Sequence, residues 1–269
     1  MKRVLITGGS MGIGLAVAQA LAARGYEVVL VARGEEALQK AIASLDGSGH
    51  SYFAFDVSDE EAWKAVALDE LHGLVCAAAV IDPVGPVGEY SPAEFKHTLE
   101  INVVGTLLAV HHCLPALRAA GGSIVTFSGG GGTTPLPRYD AYAASKAAVG
   151  RLSENFAAVL APMPVNCVAP GFVATRMHEA TFAAGPDAAG PDYYEKTRRE
   201  VEKGGFPASE AAELVCLLLS GVPFTGKLIS AQWDPWRDPE FHQKLADDPS
   251  LATVRRIDGM FFQSLPKAE

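Results

Sequence analysis

Residues 139–147 read YDAYAASKA, with a lysine, Lys146, four positions after Tyr142 and none in that relation to Tyr139. On a helix this spacing sets Tyr142 and Lys146 side by side on one face. A phenol with a pKa of ~10 is too weak a base at neutral pH. Bringing it close to neutrality takes on the order of 4 kcal/mol of preferential stabilisation of the phenolate, which a neighbouring ammonium in a partly dry site can supply. The pair is therefore a candidate proton-transfer device, with Tyr142 as acid and base and Lys146 as its tuner. A surface lysine on a helix that merely buries its tyrosine would show the same spacing, so other parts of the chain must decide.

A second stretch with chemistry in it is TGGSMGIG, Thr7 to Gly14, set between an apolar run and an apolar helical pattern. Glycine lets the backbone turn tightly and approach a ligand closely. The free N–H groups and the positive end of the helix dipole then favour a pyrophosphate. Gly8, Ser10, Gly12, Ile13 and Gly14 are the expected contacts. The next apolar run ends in VARGEE, placing Arg33 where an NAD-binding unit usually carries an acid for the ribose 2′-hydroxyl. A guanidinium there pairs with a 2′-phosphate. The expected cofactor is NADP, with NAD as the alternative should Arg33 be only a surface residue at a strand end.

These groups need a frame. RVLI (3–6), EVVLVA (27–32), SYFAFDV (51–57), GLVCAAA (73–79), GSIVTFS (122–128), VNCVAP (165–170) and KLISAQ (227–232) read as strands. They are continuously apolar, as parallel strands covered on both faces are. Helical patterns over 12–24, 35–45, 59–68, 91–119, 141–160 and 209–219 alternate with them, and SPAE at 91–94 supplies a cap, a first-turn proline and an acid. The order predicts an α/β protein with a Rossmann-type doubly wound parallel sheet over residues 1–232 and a C-terminal extension over 233–269. Residues 172–206, with AAGPDAAGPDYYEK, read as an inserted mobile loop near a ligand. The extension carries two Trp and three Phe, and is expected to be ordered, docking near 172–206 on the same or a neighbouring subunit to help close the site.

Composition narrows the function classes. The chain has 269 residues, 49% of them hydrophobic, and a net charge of −9. That length and core need no disulfide staples, and the charge argues against nucleic acid and an acidic membrane face as partners. Cys76, Cys113, Cys167 and Cys216 are widely spaced in apolar stretches and read as buried thiols. No metal-ligand spacing is present, so no metal is expected. No run reaches eighteen uncharged apolar residues, and the start leads straight into a strand and a glycine turn; a cytoplasmic protein is expected.

With these residues in hand, the chain resembles the classical branch of the short-chain dehydrogenase/reductase family over residues 1 to about 232. Its TGxxxGxG pattern is Thr7 to Gly14. Asp56 and Val57 resemble the family's adenine-contacting pair. Asn102 in EINVVG, Ser128 in SGGGG, and Tyr142 and Lys146 match the catalytic tetrad, while VAPGFVATRM resembles the PG-x-x-x-T segment with Pro170, Gly171, Val173 and Thr175 around the nicotinamide. The resemblance implies hydride exchange between the dinucleotide and a small-molecule ketone or alcohol, Tyr142 passing the proton. Ser128 would hydrogen-bond the substrate oxygen, Lys146 would also hold the nicotinamide ribose, and Asn102 would anchor a water at a local break in its helix. A homodimer or homotetramer is the expected assembly. Two departures stand out. The family's serine lies thirteen residues before the tyrosine, where this chain has Gly129, and CAAA (76–79) replaces N-N-A-G. Sugar or polyol substrates and apolar ketones both stay open, as does a nucleotide-binding regulator or scaffold without turnover.

Overall fold

The computed structural model describes residues 2–255. The strands β1 (Arg3–Thr7), β2 (Glu27–Ala32), β3 (Ser51–Ala54), β4 (Gly73–Cys76), β5 (Ser123–Phe127), β6 (Val165–Ala169) and β7 (Leu228–Ser230) form one sheet in the order β3-β2-β1-β4-β5-β6-β7. Every pairing is parallel. Strand order reverses between β1 and β4, and ligands of open α/β sheets bind at the carboxyl ends of the strands at such a point.

The helices are α1 (Gly12–Ala22), α2 (Glu35–Ala43), α3 (Glu60–Trp63), α4 (Pro92–Leu99), α5 (Gly105–Ala120), α6 (Asp140–Val159), α7 (Glu179–Ala189), α8 (Pro191–Glu202), α9 (Ala208–Ser220) and α10 (Pro239–Asp247). Side chains alternate across a strand, so Val4 and Ile6 of β1 join Val17 and Leu21 of α1 and Leu214 and Leu218 of α9 in one core. Leu5 points the other way and joins Trp63, Leu108 and Leu117. Both faces are therefore dry, which is why the strands are continuously apolar.

Several elements are shorter than their apolar runs. Strand β3 stops at Ala54, and Asp56 turns the chain by accepting from both the N–H (3.0 Å) and the hydroxyl (2.7 Å) of Ser58. Strand β4 stops at Cys76, and the Ala78 N–H goes to the Thr7 hydroxyl at 3.2 Å. The expected helix at 59–68 is the single turn α3. The expected 91–119 helix opens with the full Ser91–Glu94 capping box, then divides: Glu100–Val104 form a π-helical turn between α4 and α5. Asn102 holds that turn open. Its amide accepts from the Val80 N–H (2.8 Å) and donates to the Val80 carbonyl and the Ser145 hydroxyl (2.9 Å each).

Residues 172–206 are helical where a mobile loop was expected. Gly185 (φ +79) and Gly190 (φ +85) break the chain direction, and the proline after each begins a helical run; Pro191 occupies the first turn of α8, where a missing N–H costs nothing. The outer face of α8 carries the ion pairs of Arg198 with Glu195 and Glu202, while Tyr193 and Tyr194 turn inward.

The extension is ordered as far as it is described, but not where it was expected. Trp236 is buried in the α1–α9 core with Leu245 of α10, its indole N–H on the Ala231 carbonyl at 3.0 Å. Arg237 stacks 3.8 Å from the Trp236 ring and pairs with Glu210 of α9. Lys227 Nζ donates to the carbonyls of Asp248 (2.8 Å) and Leu251 (3.0 Å). Along the outer edge of β7, the Leu228 N–H goes to the Ala252 carbonyl at 2.7 Å and the Ser230 N–H to Asp234 Oδ2 at 2.7 Å. The segment thus docks on β7 and α9 rather than on α7–α8. Residues 256–269, which include most of VRRIDGMFF, lie outside the described residues.

Candidate active site

The first turn of α1 has neither a side-chain cap nor an acid, so its N–H groups are left for a ligand. Gly12 has φ +56. A Cβ on Gly14 would run into the Gly8 carbonyl, and one on Gly8 would lie 2.8 Å from Ala78 Cα across the β1–β4 crevice. Only glycine fits at these two positions, and the cradle they form suits an anionic pyrophosphate. The turn opens into a cavity of about 520 Å³ lined by Gly8, Ser10, Gly12, Ile13, Gly14, Arg33, Asp56, Val57 and Thr175, among others. Nine of the predicted cofactor contacts thus share one wall. Its alanine floor, Ala77 to Ala79, leaves room for a ribose.

Arg33 and Asp56 face each other at the far end, Arg33 Nη1 lying 3.9 Å from Asp56 Oδ2. Burial pushes the Asp56 carboxyl up, but the two Ser58 donors and the Arg33 charge outweigh it and hold it below the usual range. Arg33 is mostly exposed and has no other ion-pair partner among the described residues. Pro170, Gly171 and Val173 are not among the residues lining the cavity. The Val173 carbonyl accepts from His178, and Gly171, at φ +81, packs against Gln232.

Tyr142 and Lys146 lie side by side on α6, the ammonium 5.6 Å from the ring centroid, and both are buried. Lys146 Nζ donates to the Phe127 carbonyl at 3.1 Å. Burial lowers Lys146 to about 8 and pushes Tyr142 up, with Tyr193 adding to the effect. Desolvation of the enclosed phenolate sets this direction, opposite to the lowering expected from its lysine. Tyr139, the bystander, donates its hydroxyl to Thr181 at 3.0 Å.

Ser128 does not face Tyr142. Its hydroxyl is directed at the Lys146 carbonyl at 3.3 Å, whereas a Cβ built on Gly129 would lie 2.5 Å from Tyr142 Oη. The extra residue therefore turns the serine away and sets a glycine against the Tyr142 hydroxyl. Asn102 joins the site through Ser145, which precedes Lys146, and its own carbonyl accepts from Thr106 at 2.8 Å.

Three residues matter here that sequence reasoning missed. Met177 lines the cavity and also packs in the Tyr142 cluster, so it stands between the two. Tyr193 of α8 packs on Tyr139, ring centroids 4.8 Å apart. Arg138, at φ +72, donates to the carbonyls of Asp187 and Ala188 at the end of α7. All three depend on the fold of 172–206, and no local pattern signals them.

This arrangement has known counterparts. Residues 2–185 match the short chain dehydrogenase family. A dehydrogenase/reductase SDR family member 4 from Sus scrofa is 32% identical over 231 residues, 81% of each chain. The crystal structure of an actinorhodin polyketide ketoreductase variant with NADPH superposes with a TM-score of 0.75 at 26% identity, covering 85% of this chain and 95% of that one. An NAD+-bound xylitol dehydrogenase superposes with a TM-score of 0.74 at 27% identity, covering 85% and 96%. The chain belongs to the short-chain dehydrogenase/reductase family. It is an oxidoreductase of that family, acting on alcohol or carbonyl groups of small molecules.

Proposed function

We propose that the protein is an NADP-dependent oxidoreductase that interconverts a ketone and a secondary alcohol, with Tyr142 as the proton-transferring group. The observation that carries this is the Tyr142–Lys146 pair on α6, linked through Met177, which belongs both to its cluster and to the cavity lining, to a glycine cradle that fits a dinucleotide. When bound, the dinucleotide supplies the hydride. The chain supplies the rest: Tyr142 Oη gives its proton to the substrate oxygen as charge develops there. Burial favours the protonated phenol, so Tyr142 carries the proton that it would give. Lys146 replaces that proton and holds the nicotinamide ribose, and Asn102 keeps the turn beside Lys146 in place. Arg33, exposed at the rim opposite Asp56, supports a 2′-phosphate and hence NADP over NAD. Assembly as a homodimer or homotetramer in the cytoplasm belongs to the same proposal, and light scattering tests the assembly.

One observation favours a second reading, a nucleotide-binding regulator without turnover: Ser128 is spent on the Lys146 carbonyl and Gly129 offers no hydroxyl. The experiment that separates them follows NADPH absorbance with a panel of ketones on the parent and on Tyr142→Phe. The enzyme reading expects turnover in the parent, a loss of at least about a hundredfold in the variant, and unchanged NADPH affinity. Stoichiometric binding without NADPH consumption across the panel would establish the regulator instead. Arg33→Ala should weaken NADPH binding at least about tenfold and leave NADH nearly unchanged; equal weakening towards both would make Arg33 merely structural.

A further inference from the structure

Resting on the proton-transfer reading of Tyr142, we propose that the substrate is an apolar ketone with a flat hydrocarbon group beside its carbonyl, an aryl ketone, and that Tyr193 selects it. Away from Lys146 and Gly129, Tyr142 packs in a cluster with Ile81, Val84, Leu136, Met177, Tyr139 and Tyr193. None of the six is charged. The charged residues of α8, among them Asp192, Glu195, Lys196, Arg199 and Glu200, form a separate cleft on its outer side.

Several polar atoms around the cluster are committed to one another. Tyr139 donates to Thr181, Tyr90 to Asp140 at 2.5 Å, and Arg138 to the last carbonyls of α7. The Thr197 hydroxyl, one turn beyond Tyr193 on α8, is buried beside the Tyr193 phenol. A polyol entering this space would strip several hydroxyls of water and find few partners beyond the hydroxyls of Tyr142, Tyr193 and Thr197. A flat hydrocarbon loses nothing of the kind, and it can replace part of the Tyr193 ring contact on Tyr139.

Tyr193 is the natural selector. It tilts at 55° against Tyr139 and lies close enough to Tyr142 for a charge on either phenol to disfavour the other. It also sits on the stretch between Gly190 and Gly204, both with positive φ.

The test compares acetophenone with dihydroxyacetone under NADPH, using the parent, Tyr193→Ser and Tyr193→Phe. The parent should show kcat/KM for acetophenone at least roughly a hundredfold above that for dihydroxyacetone. Tyr193→Ser should bring the two within about threefold of each other, and Tyr193→Phe should keep the parental preference. NADPH affinity, read by fluorescence titration, should be the same in all three. Equal or reversed preference in the parent overturns the proposal whether or not the serine variant folds. So does a folded Tyr193→Ser that keeps the parental ratio. Turnover of dihydroxyacetone alone overturns this proposal and leaves the oxidoreductase reading standing; bound NADPH with turnover of neither ketone also overturns it, and the oxidoreductase reading is then decided by the wider ketone panel.

Discussion

At Lys146, burial works against charge, and that has a measurable sign. Burial lowers the folded amine to about 8 from its ordinary 10.5, so between these values the unfolded chain binds the extra proton. Stability then rises with pH across that window, and the penalty for burying the ammonium is fully present below it. Lys146→Met removes the group. Between pH 8 and 10 the parent should gain roughly 2 kcal/mol relative to this variant in urea melts; parallel pH profiles would contradict the shift. Gly129 makes a second residue-level case. A methyl group there meets Tyr142 Oη, so Gly129→Ala should cost about 1–3 kcal/mol of stability and lower kcat at least about tenfold by displacing the phenol. Ser128→Ala, losing only a bond to the Lys146 carbonyl, should keep kcat within about threefold of the parent. A larger loss at Ser128 than at Gly129, measured side by side, would restore the serine to the substrate.

Elements translate such contacts into position, and the π-helical turn at Glu100–Val104 shows how. Asn102 ties it to Val80 and to Ser145 by three hydrogen bonds. Asn102→Ala leaves those buried groups unpaired and should destabilise the protein by about 2–4 kcal/mol, seen as a lower Tm; a Tm within a degree or so of the parent would mean that water takes over the bonds. Short-range patterns carried much of this level. The glycine turn, the strand centres and the Ser91 cap follow from local sterics and hydrogen bonding, so they were legible in the sequence. The π-helical turn was not readable as a residue pattern, since Asn102 is held by partners 22 and 43 residues away, and only family resemblance pointed to a break there. Likewise Gly185-Pro186 and Gly190-Pro191 read as loop signals, although each proline begins a helical run whose inner face is fixed by packing on Tyr139. The serine was misjudged for the same reason. Spacing located Ser128 near Tyr142 in sequence, and only the path of the Gly129–Gly132 loop decides which way its hydroxyl turns.

For the molecule as a whole, the segment after β7 belongs to the core. Trp236 and Leu245 fill the α1–α9 side, and Lys227 is held by carbonyls of the segment beyond α10. Trp236→Ala should therefore cost about 3–5 kcal/mol, while KM for substrate stays close to the parent because the segment docks away from α8. A changed KM with an unchanged Tm would place the segment at the site after all. The same segment decides what happens at the end of the sheet. An uncovered edge strand is a template on which another chain can add a strand. Here the two outward donors of β7 are already taken, by the Ala252 carbonyl and the Asp234 carboxylate. A chain cut after Gln232 would free both donors at once. It should then scatter light and form thioflavin-binding aggregates at temperatures where the intact protein stays clear, so that guarding against self-templating is a task of the C-terminal segment quite apart from any chemistry at Tyr142.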